Sequence, residues 1–171
     1  MSTSSKERDS NVMKIRLASP ITQDSIVDGP GLRTVIWTQG CPHRCPGCHN
    51  EQTHDLCGGF EASVEDIKET IAGLKLQKGI TISGGEPFLQ SEQCAEIAEF
   101  AKSKGLDVWC YTGFTYEQLQ ESGKHEKLLK NIDVLVDGPF IQDQKSLDLY
   151  FRGSKNQRCM HLRDGEITHI N

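Results

Sequence analysis

The chain has 171 residues, of which 25% are charged and 36% hydrophobic, and its formal net charge is -5. This length suits one domain with its own core and is short for two. The acidic balance gives no general attraction to nucleic acid or an anionic membrane, and no apolar run reaches membrane-spanning length. The first residues are polar and lack the apolar stretch of a secretory signal. We therefore expect a cytoplasmic, soluble protein with a flexible tail over 1–12 and a single domain over 13–171.

From position 34 onward the sequence alternates strand and helix patterns. Short runs rich in β-branched and other apolar residues predict strands at 34–38, 79–83, 108–111 and 132–136. A first helix is predicted after Ser63, which can cap it, with Val64, Ile67, Ile71 and Leu74 on its apolar face.

A second helix is predicted from Ser91 to near Gly105, and its apolar face carries Cys94, Ile97, Ala98 and Ala101. A short third helix is predicted over 115–120. Strands separated by helices indicate βαβ units and a mainly parallel sheet, but a closed eight-unit barrel needs roughly 250 residues. We therefore expect an α/β fold, an open partial barrel of about four to six parallel strands.

The C-terminal segment has a different pattern. Two short runs, over 158–162 and 167–170, flank Asp164 and Gly165. An Asp-Gly pair between strand-like runs is typical of a tight turn. The sequence therefore predicts a C-terminal β-hairpin.

Unusual residues follow each predicted parallel strand at its carboxyl end. Cys41, Gly84, Thr112 and Asp137 each lie shortly after a different strand. Parallel α/β sheets bind their ligands at this edge. These four residues share the edge formed by the carboxyl ends of the strands, which we call the rim. Their independent placements predict a ligand site there.

Three cysteines crowd into eight residues with the spacing C-x3-C-x2-C, as Cys41, Cys45 and Cys48. In a reducing compartment this spacing indicates metal or cofactor ligation rather than a disulfide framework. Three thiolates can hold three irons of a 4Fe–4S cluster and leave the fourth iron open to a small molecule, whereas an electron carrier closes its cluster with four cysteines.

Two other interpretations of the cysteines remain open on spacing alone. Tetrahedral zinc would take the three thiolates with Cys57, His43 or His49 as its fourth ligand. Alternatively, Cys57 would complete a four-thiolate cluster for simple electron transfer.

A second motif, Ser83-Gly84-Gly85-Glu86-Pro87, ends the strand over 79–83. Two glycines permit close approach of the backbone to a ligand, and the Glu86 carboxylate can accept from an ammonium group. An ordinary strand-to-helix turn would also explain two adjacent glycines.

Together the cysteines and the Gly-Gly-Glu-Pro segment resemble the radical S-adenosylmethionine superfamily. The resemblance implies that the three cysteines hold a 4Fe–4S cluster whose open iron takes the amine and carboxylate of S-adenosylmethionine, while Gly84, Gly85 and Glu86 dock its methionine end. Many members carry an aromatic residue just before the last cysteine, where this chain has Gly47. An aromatic contact to the adenine is therefore not expected at that position.

Further motifs are similar to those of the glycyl-radical-enzyme activases, and within them to the activases of anaerobic ribonucleoside-triphosphate reductase. The likeness runs over about 13–162 in matching order. The segments that carry it are VDGPGLR at 27–33, QGC at 39–41, CPGCHN at 45–50, WCYTGF at 109–114, VLVDGPF at 134–140 and FRGSKNQR at 151–158.

This resemblance implies an oxidoreductase that cleaves S-adenosylmethionine at its cluster and leaves a glycyl radical on the reductase. The implied partners are the glycine loop of the reductase large subunit and a flavodoxin or ferredoxin-type electron donor. Backbone groups of Gly47, Cys48 and His49 are expected near the ligand, with Thr112 and Asp137 as contacts to ribose or to the incoming loop. No general acid–base pair is expected, because the protein binds and orients while the cofactors supply the chemistry.

The remaining candidates have simpler explanations. Arg33 either orients a substrate carboxylate or bonds the adjacent Gly-Pro-Gly turn. Asp137 directly follows an apolar strand, where an unpaired carboxylate is costly, so a ligand contact would explain it. Cys94 and Cys110 are expected as buried core thiols.

Overall fold

The computed structural model describes residues 12–43, 54–55, 57–149 and 151–171. Its strands all belong to one mixed sheet. In chain order they are β1 (Lys14–Leu17), β2 (Thr22–Ser25), β3 (Arg33–Thr38), β4 (Phe60–Ser63), β5 (Gly79–Gly84), β6 (Asp107–Tyr111), β7 (Val134–Asp137), β8 (Arg158–Arg163) and β9 (Glu166–Ile170).

The sheet has a parallel centre and antiparallel flanks. Strands β3, β5, β6 and β7 lie side by side in parallel, with Thr34 opposite Ile80 and Ile80 opposite Val108. On one side β1 pairs antiparallel with β3 and β4, and β2 also pairs with β3. On the other side β7, β8 and β9 form an antiparallel run. Within the described residues β4 and β9 end the strand order without pairing to each other, so the sheet is open.

In the described part of the chain, four α-helices lie between strands: α1 (Val64–Ala72), α2 (Ser91–Ser103), α3 (Tyr116–Ser122) and α4 (Glu126–Lys130). Ser63 caps α1 by accepting from Asp66 N, as predicted. Thr115 and Gln118 form a capping box at the start of α3. In the described ranges no helix is long and apolar enough to cross a membrane.

The main core lies between the helices and one face of the sheet. Alternate strand residues such as Ile36, Ile82, Cys110 and Leu135 pack there against the helices. The opposite face carries a smaller cluster of Trp109, Val134, Val136 and Cys159, against which Phe151 packs. We call this second face the inner face; Tyr111 and Phe151 are the partly buried residues that pack against its cluster.

Most predicted elements are confirmed, and the differences have local causes. The C-terminal hairpin turns at Asp164 and Gly165, both with positive φ, as a two-residue Asp-Gly turn requires. Helix α1 ends at Ala72, so Leu74 lies beyond it and is only half-buried. The predicted strand over 132–136 begins at Val134 instead.

Sequence analysis did not predict β1, β2, β4 or α4. Strand β2 reads TQDS and has three exposed residues, so no apolar alternation marks it. Strands β1 and β4 pair with each other, and this long-range pairing is not visible in either segment alone.

Candidate functional site

The carboxyl ends of β3 and β5 are joined by backbone hydrogen bonds just beyond the strands. Gly85 N donates to Thr38 O at 2.8 Å, and Glu86 N donates to Gly40 O at 2.7 Å. These bonds bring the Gly-Gly-Glu-Pro segment directly against the residues that precede Cys41. Two of the motifs predicted to share a rim therefore lie next to each other.

Gly84 is required by the backbone of this junction. Its φ is +100°, and a Cβ there would lie 2.6 Å from Thr38 N and overlap the Thr38 carbonyl. Such a contact is closer than real Cβ atoms tolerate, so a side chain would push β5 away from β3. The close approach at Gly84 is to a neighbouring strand.

The Glu86 carboxylate is fully buried and engaged by donors from three loops. Oε1 accepts from Gly113 N at 2.8 Å and lies 2.6 Å from His43 Nε2. Oε2 accepts from Thr112 Oγ1 at 2.7 Å and from Phe88 N at 3.2 Å. Because an ionised carboxylate only accepts, the tautomer that fits carries its hydrogen on His43 Nε2.

The His43 ring also packs against Phe114 and Gly113 of the β6 loop. Its ring meets Phe114 edge to face with centroids 4.5 Å apart. A Cβ on Gly113 would lie 2.7 Å from His43 Nε2, so the glycine leaves the space that the imidazole fills. The cysteine-bearing loop is thus held to the β6 loop by packing as well as by Glu86.

Cys41 lies at the start of this loop and is 9% exposed. Its N–H donates to His54 O at 3.2 Å, which brings the two ends of the 41–54 segment together. His54 Nε2 is buried and has no hydrogen-bond partner in the described structure. A buried unpartnered imidazole nitrogen is uncommon and calls for an explanation.

The other two predicted cluster ligands, Cys45 and Cys48, and the predicted cofactor contacts Gly47 and His49 lie outside the described residues. Within the described ranges, no group of three His, Cys, Asp or Glu side chains is placed to hold a metal ion. The assignment of Cys41, Cys45 and Cys48 as ligands therefore stays a prediction from their spacing.

Thr112 and Asp137 occupy the predicted rim, and both side chains bond to other groups of the protein. The Thr112 hydroxyl donates to Glu86 and accepts from Phe114 N at 3.1 Å. Asp137 is 1% exposed, accepts from Tyr116 N at 2.8 Å and pairs with Arg158, whose Nε lies 3.0 Å from Oδ1. Arg158 and Tyr116 N therefore already satisfy the Asp137 carboxylate, and its predicted ligand contact stays a prediction.

Arg33 is fully buried and is held by several groups of the protein. Its guanidinium donates to Pro30 O, Thr81 Oγ1 and Ile80 O and pairs with Asp107. Trp109 lies beneath it, with Cζ 5.7 Å from the ring centroid. Of the two explanations offered for Arg33, the structural one is supported.

Sequence analysis did not single out Tyr111, which packs against the inner-face cluster near the rim. The period-2 alternation of β6 places Trp109 and Tyr111 on the inner face and Cys110 in the main core. Burial raises the pKa of Tyr111, with the Asp28 charge adding to the effect. Alternation along the predicted strand was the signal that could have separated Tyr111 from Thr112.

The other cysteines divide by burial. Cys94 and Cys110 are fully buried, as predicted, and desolvation raises the pKa of both thiols. Cys159 is also buried, and burial raises its pKa as well. Cys57 is exposed in the segment before β4.

Comparison with known proteins agrees with an iron–sulfur site. The family described as a 4Fe-4S single cluster domain matches residues 27–160, which include all three clustered cysteines. Among solved structures, QueE from Escherichia coli aligns with a TM-score of 0.46 and 19% identity over 60% of this chain and 54% of its own.

Curated relatives match over most of their length. The anaerobic ribonucleoside-triphosphate reductase-activating protein of Vibrio cholerae is 38% identical over 140 residues, covering 77% of this chain and 89% of the relative. The protein of the same name from Escherichia coli K12 is 37% identical over 81% of this chain and 94% of its own length. That of phage T4 is 32% identical over 84% and 92%.

Proposed function

This chain belongs to the family of anaerobic ribonucleoside-triphosphate reductase-activating proteins, and we propose that it activates such a reductase by cleaving S-adenosylmethionine at a 4Fe–4S cluster and generating a glycyl radical. The observation that carries the proposal is the junction of β3 and β5. There the loop that begins with Cys41 is bonded through Gly40 to the Gly-Gly-Glu-Pro segment.

The proposed cluster ligands are Cys41, Cys45 and Cys48, with one cluster per chain. Thiolates are the ligands that iron–sulfur clusters use, and a set of three leaves one iron for a second ligand. The chemistry near Cys41 fits such a group, because the buried nitrogen of His54 lies in a segment bonded to Cys41 and has no protein partner in the described structure. An imidazole N–H can donate to a cluster sulfur, a contact that tunes reduction potential.

The proposed S-adenosylmethionine site lies along the same rim, at Gly47, Cys48, His49, Gly84, Gly85 and Glu86, with Thr112 and Asp137 as further contacts. When bound, the cluster would supply an electron, and S-adenosylmethionine would supply the group that abstracts a hydrogen atom from a glycine Cα. Because both Glu86 oxygens already accept from the protein, we assign the ammonium group to backbone carbonyls of Gly84 and Gly85.

The protein's own contribution is then to bind and orient. The β3–β5 junction fixes the spacing between the cysteine loop and the glycine segment, and the Glu86 contacts keep the β6 loop beside both. We interpret the open sheet as a partial barrel. The glycine loop of the reductase large subunit would reach the site from its open side. The proposed electron donor is a flavodoxin or a ferredoxin-type protein.

The direct test is to reconstitute the chain with iron and sulfide under anaerobic conditions, reduce it, add S-adenosylmethionine and measure 5′-deoxyadenosine by chromatography. We expect product that disappears in Cys45→Ala and persists in Cys57→Ala. With the reductase present, a glycyl radical signal should appear in the electron paramagnetic resonance spectrum.

The opposite result would identify a structural metal protein. It would consist of no product, one tightly held zinc per chain and loss of that metal in Cys57→Ala. The same pair of variants also separates a three-thiolate cluster from a four-thiolate electron carrier, because only the latter loses its cluster when Cys57 is replaced.

A further inference from the structure

The contact between His43 and Glu86 links the cysteine loop to the rest of the rim through side chains. We propose that these two residues are a positioning pair, which fixes the start of the cysteine loop, over 41–43, relative to Gly84 and Gly85. The inference rests on the proposed function only for the identity of the group that the loop holds. The contacts that hold His43 and Glu86 in place lie within this chain and do not depend on the identity of that group.

Glu86 supplies the fixed end of the pair. It caps the short 3-10 helix over Pro87–Gln90 by accepting from Phe88 N, so its backbone and carboxylate are set by β5 and the turn after it. Thr112 and Gly113 hold the same carboxylate from the β6 loop. A carboxylate held by three other donors offers His43 one defined position for a hydrogen bond.

His43 supplies the loop end, and its ring is fixed in position as well as in direction. The hydrogen bond to Glu86 at 2.6 Å sets the direction of Nε2. Edge-to-face packing on Phe114 and the space left by Gly113 set the plane of the ring. His43 is two residues from Cys41 and two from Cys45, so each neighbouring cysteine lies within about 7 Å of chain from the fixed residue.

The consequence is that the ring position limits where the thiolates of this loop can lie. Residues that orient metal ligands without binding the metal typically change metal affinity by 10- to 100-fold when they are replaced. His43 and Glu86 would act in this way on the cluster, and through it on the ligand at the open iron.

The test compares three substitutions. His43→Phe keeps a flat ring against Phe114 and loses the donor, whereas His43→Gln keeps a donor at an equivalent distance and loses the ring. His125→Phe is the matched control, because His125 also meets a phenylalanine edge to face, Phe88 at 5.2 Å, and contacts Ser91 Oγ at 3.0 Å. Circular dichroism verifies that each variant is folded.

Three readouts are measured besides activity. In the metal-free protein, hydrogen exchange is followed for peptides that cover residues 38–49 and Gly113. In the reconstituted protein, the release of iron to a chelator is timed, and the spectrum of the reduced cluster is recorded before and after S-adenosylmethionine is added. For His43→Phe we expect faster exchange in both peptides, iron release about tenfold faster, and an altered spectral change.

His43→Gln should restore slow exchange and near-wild-type iron release, and His125→Phe should match the wild type in each measurement. The proposal is overturned if His43→Phe and His43→Gln lose iron equally fast, since packing alone would then hold the loop. It is also overturned if neither differs from the wild type.

These outcomes are separable from those for the proposed function. If the wild type forms no 5′-deoxyadenosine but exchange still depends on the donor at position 43, the pair stands and the assigned activity fails. If product forms and the variants behave alike, the activity stands and the pair fails. Because hydrogen exchange is measured on the metal-free protein, it tests the pair even if the chain takes up no iron.

Discussion

Two buried carboxylates, Glu86 and Asp137, follow different parallel strands and are 0% and 1% exposed. From sequence both were assigned to the ligand site, since each stands at the carboxyl end of a strand. Their partners distinguish them. Glu86 is held by loops that follow β3, β5 and β6, including the one that carries Cys41. Asp137 is held by Arg158 of β8 and the start of α3.

The comparison shows that burial and rim position do not by themselves assign a carboxylate to a ligand site. What a buried charge organises depends on which elements donate to it. Glu86 gathers the loops that the proposed chemistry uses, whereas Asp137 fastens the C-terminal hairpin to the parallel sheet. Three substitutions, in order of falling effect, test this distinction.

Glu86→Ala should have the largest effect. It removes the acceptor for Thr112, Gly113 and Phe88 and frees His43, so buried donors lose their partner and the free energy of unfolding should fall by about 3–5 kcal/mol. Denaturant unfolding measures this loss, and iron content after reconstitution should fall with it. Glu92→Ala, at an exposed position in the first turn of α2, is the control. Normal iron content in folded Glu86→Ala would contradict the role of Glu86 in the site.

Asp137→Ala should destabilise the chain less, by about 2–3 kcal/mol, because Arg158 is one-third exposed and keeps its contact with Glu117. Iron content per folded chain should be retained, since Asp137 contacts none of the described residues of the cysteine loop. If Asp137→Ala lost as much iron as Glu86→Ala, Asp137 would belong to the ligand site, and the proposed difference between the two carboxylates would be wrong.

Glu117→Gln should have the smallest effect and a defined pH dependence. The hydrogen bond from Arg158 lowers the pKa of Glu117, so its carboxylate stabilises the fold above its unfolded pKa of about 4.3. That contribution is lost as pH falls through the lowered folded pKa. Since the side chain is 61% exposed, the difference from wild type should be about 0.5 kcal/mol or less at pH 7.

Urea unfolding at pH 7 and at pH 3 measures this dependence. The difference between Glu117→Gln and the wild type should shrink at the lower pH. Glu121→Gln, at an exposed position on the same helix, should show no such change. A difference that grows on acidification would mean that Glu117 does not support the pair of Arg158 and Asp137.

The sequence was informative wherever a local pattern decides the structure. Ser63 and Thr115 begin helices as predicted, because a cap is satisfied within three residues. Asp164 and Gly165 turn the hairpin for the same kind of local reason. The structure at these positions could be predicted from the local sequence, without knowledge of contacts with other elements.

Side-chain direction at the rim could not be read in the same way. Thr112 turns toward Glu86, 26 residues away, and Asp137 toward Arg158, 21 residues further on. Each choice depends on a partner from another element, and no local pattern specifies it. The approach of the Gly-Gly-Glu-Pro segment to the start of the cysteine loop was therefore predictable, while the protein partners of Thr112 and Asp137 were not.

The Glu86 contacts also impose an order on folding. His43 is 43 residues before Glu86, and Gly113 is 27 residues after it, so the network closes only when β3, β5 and β6 are aligned. Contacts so distant in sequence form late, because the chain must first lose the entropy of the intervening loops. A nascent chain that has not yet extended past Gly113 lacks part of the frame around its cysteine loop, and cluster insertion should follow formation of the parallel sheet.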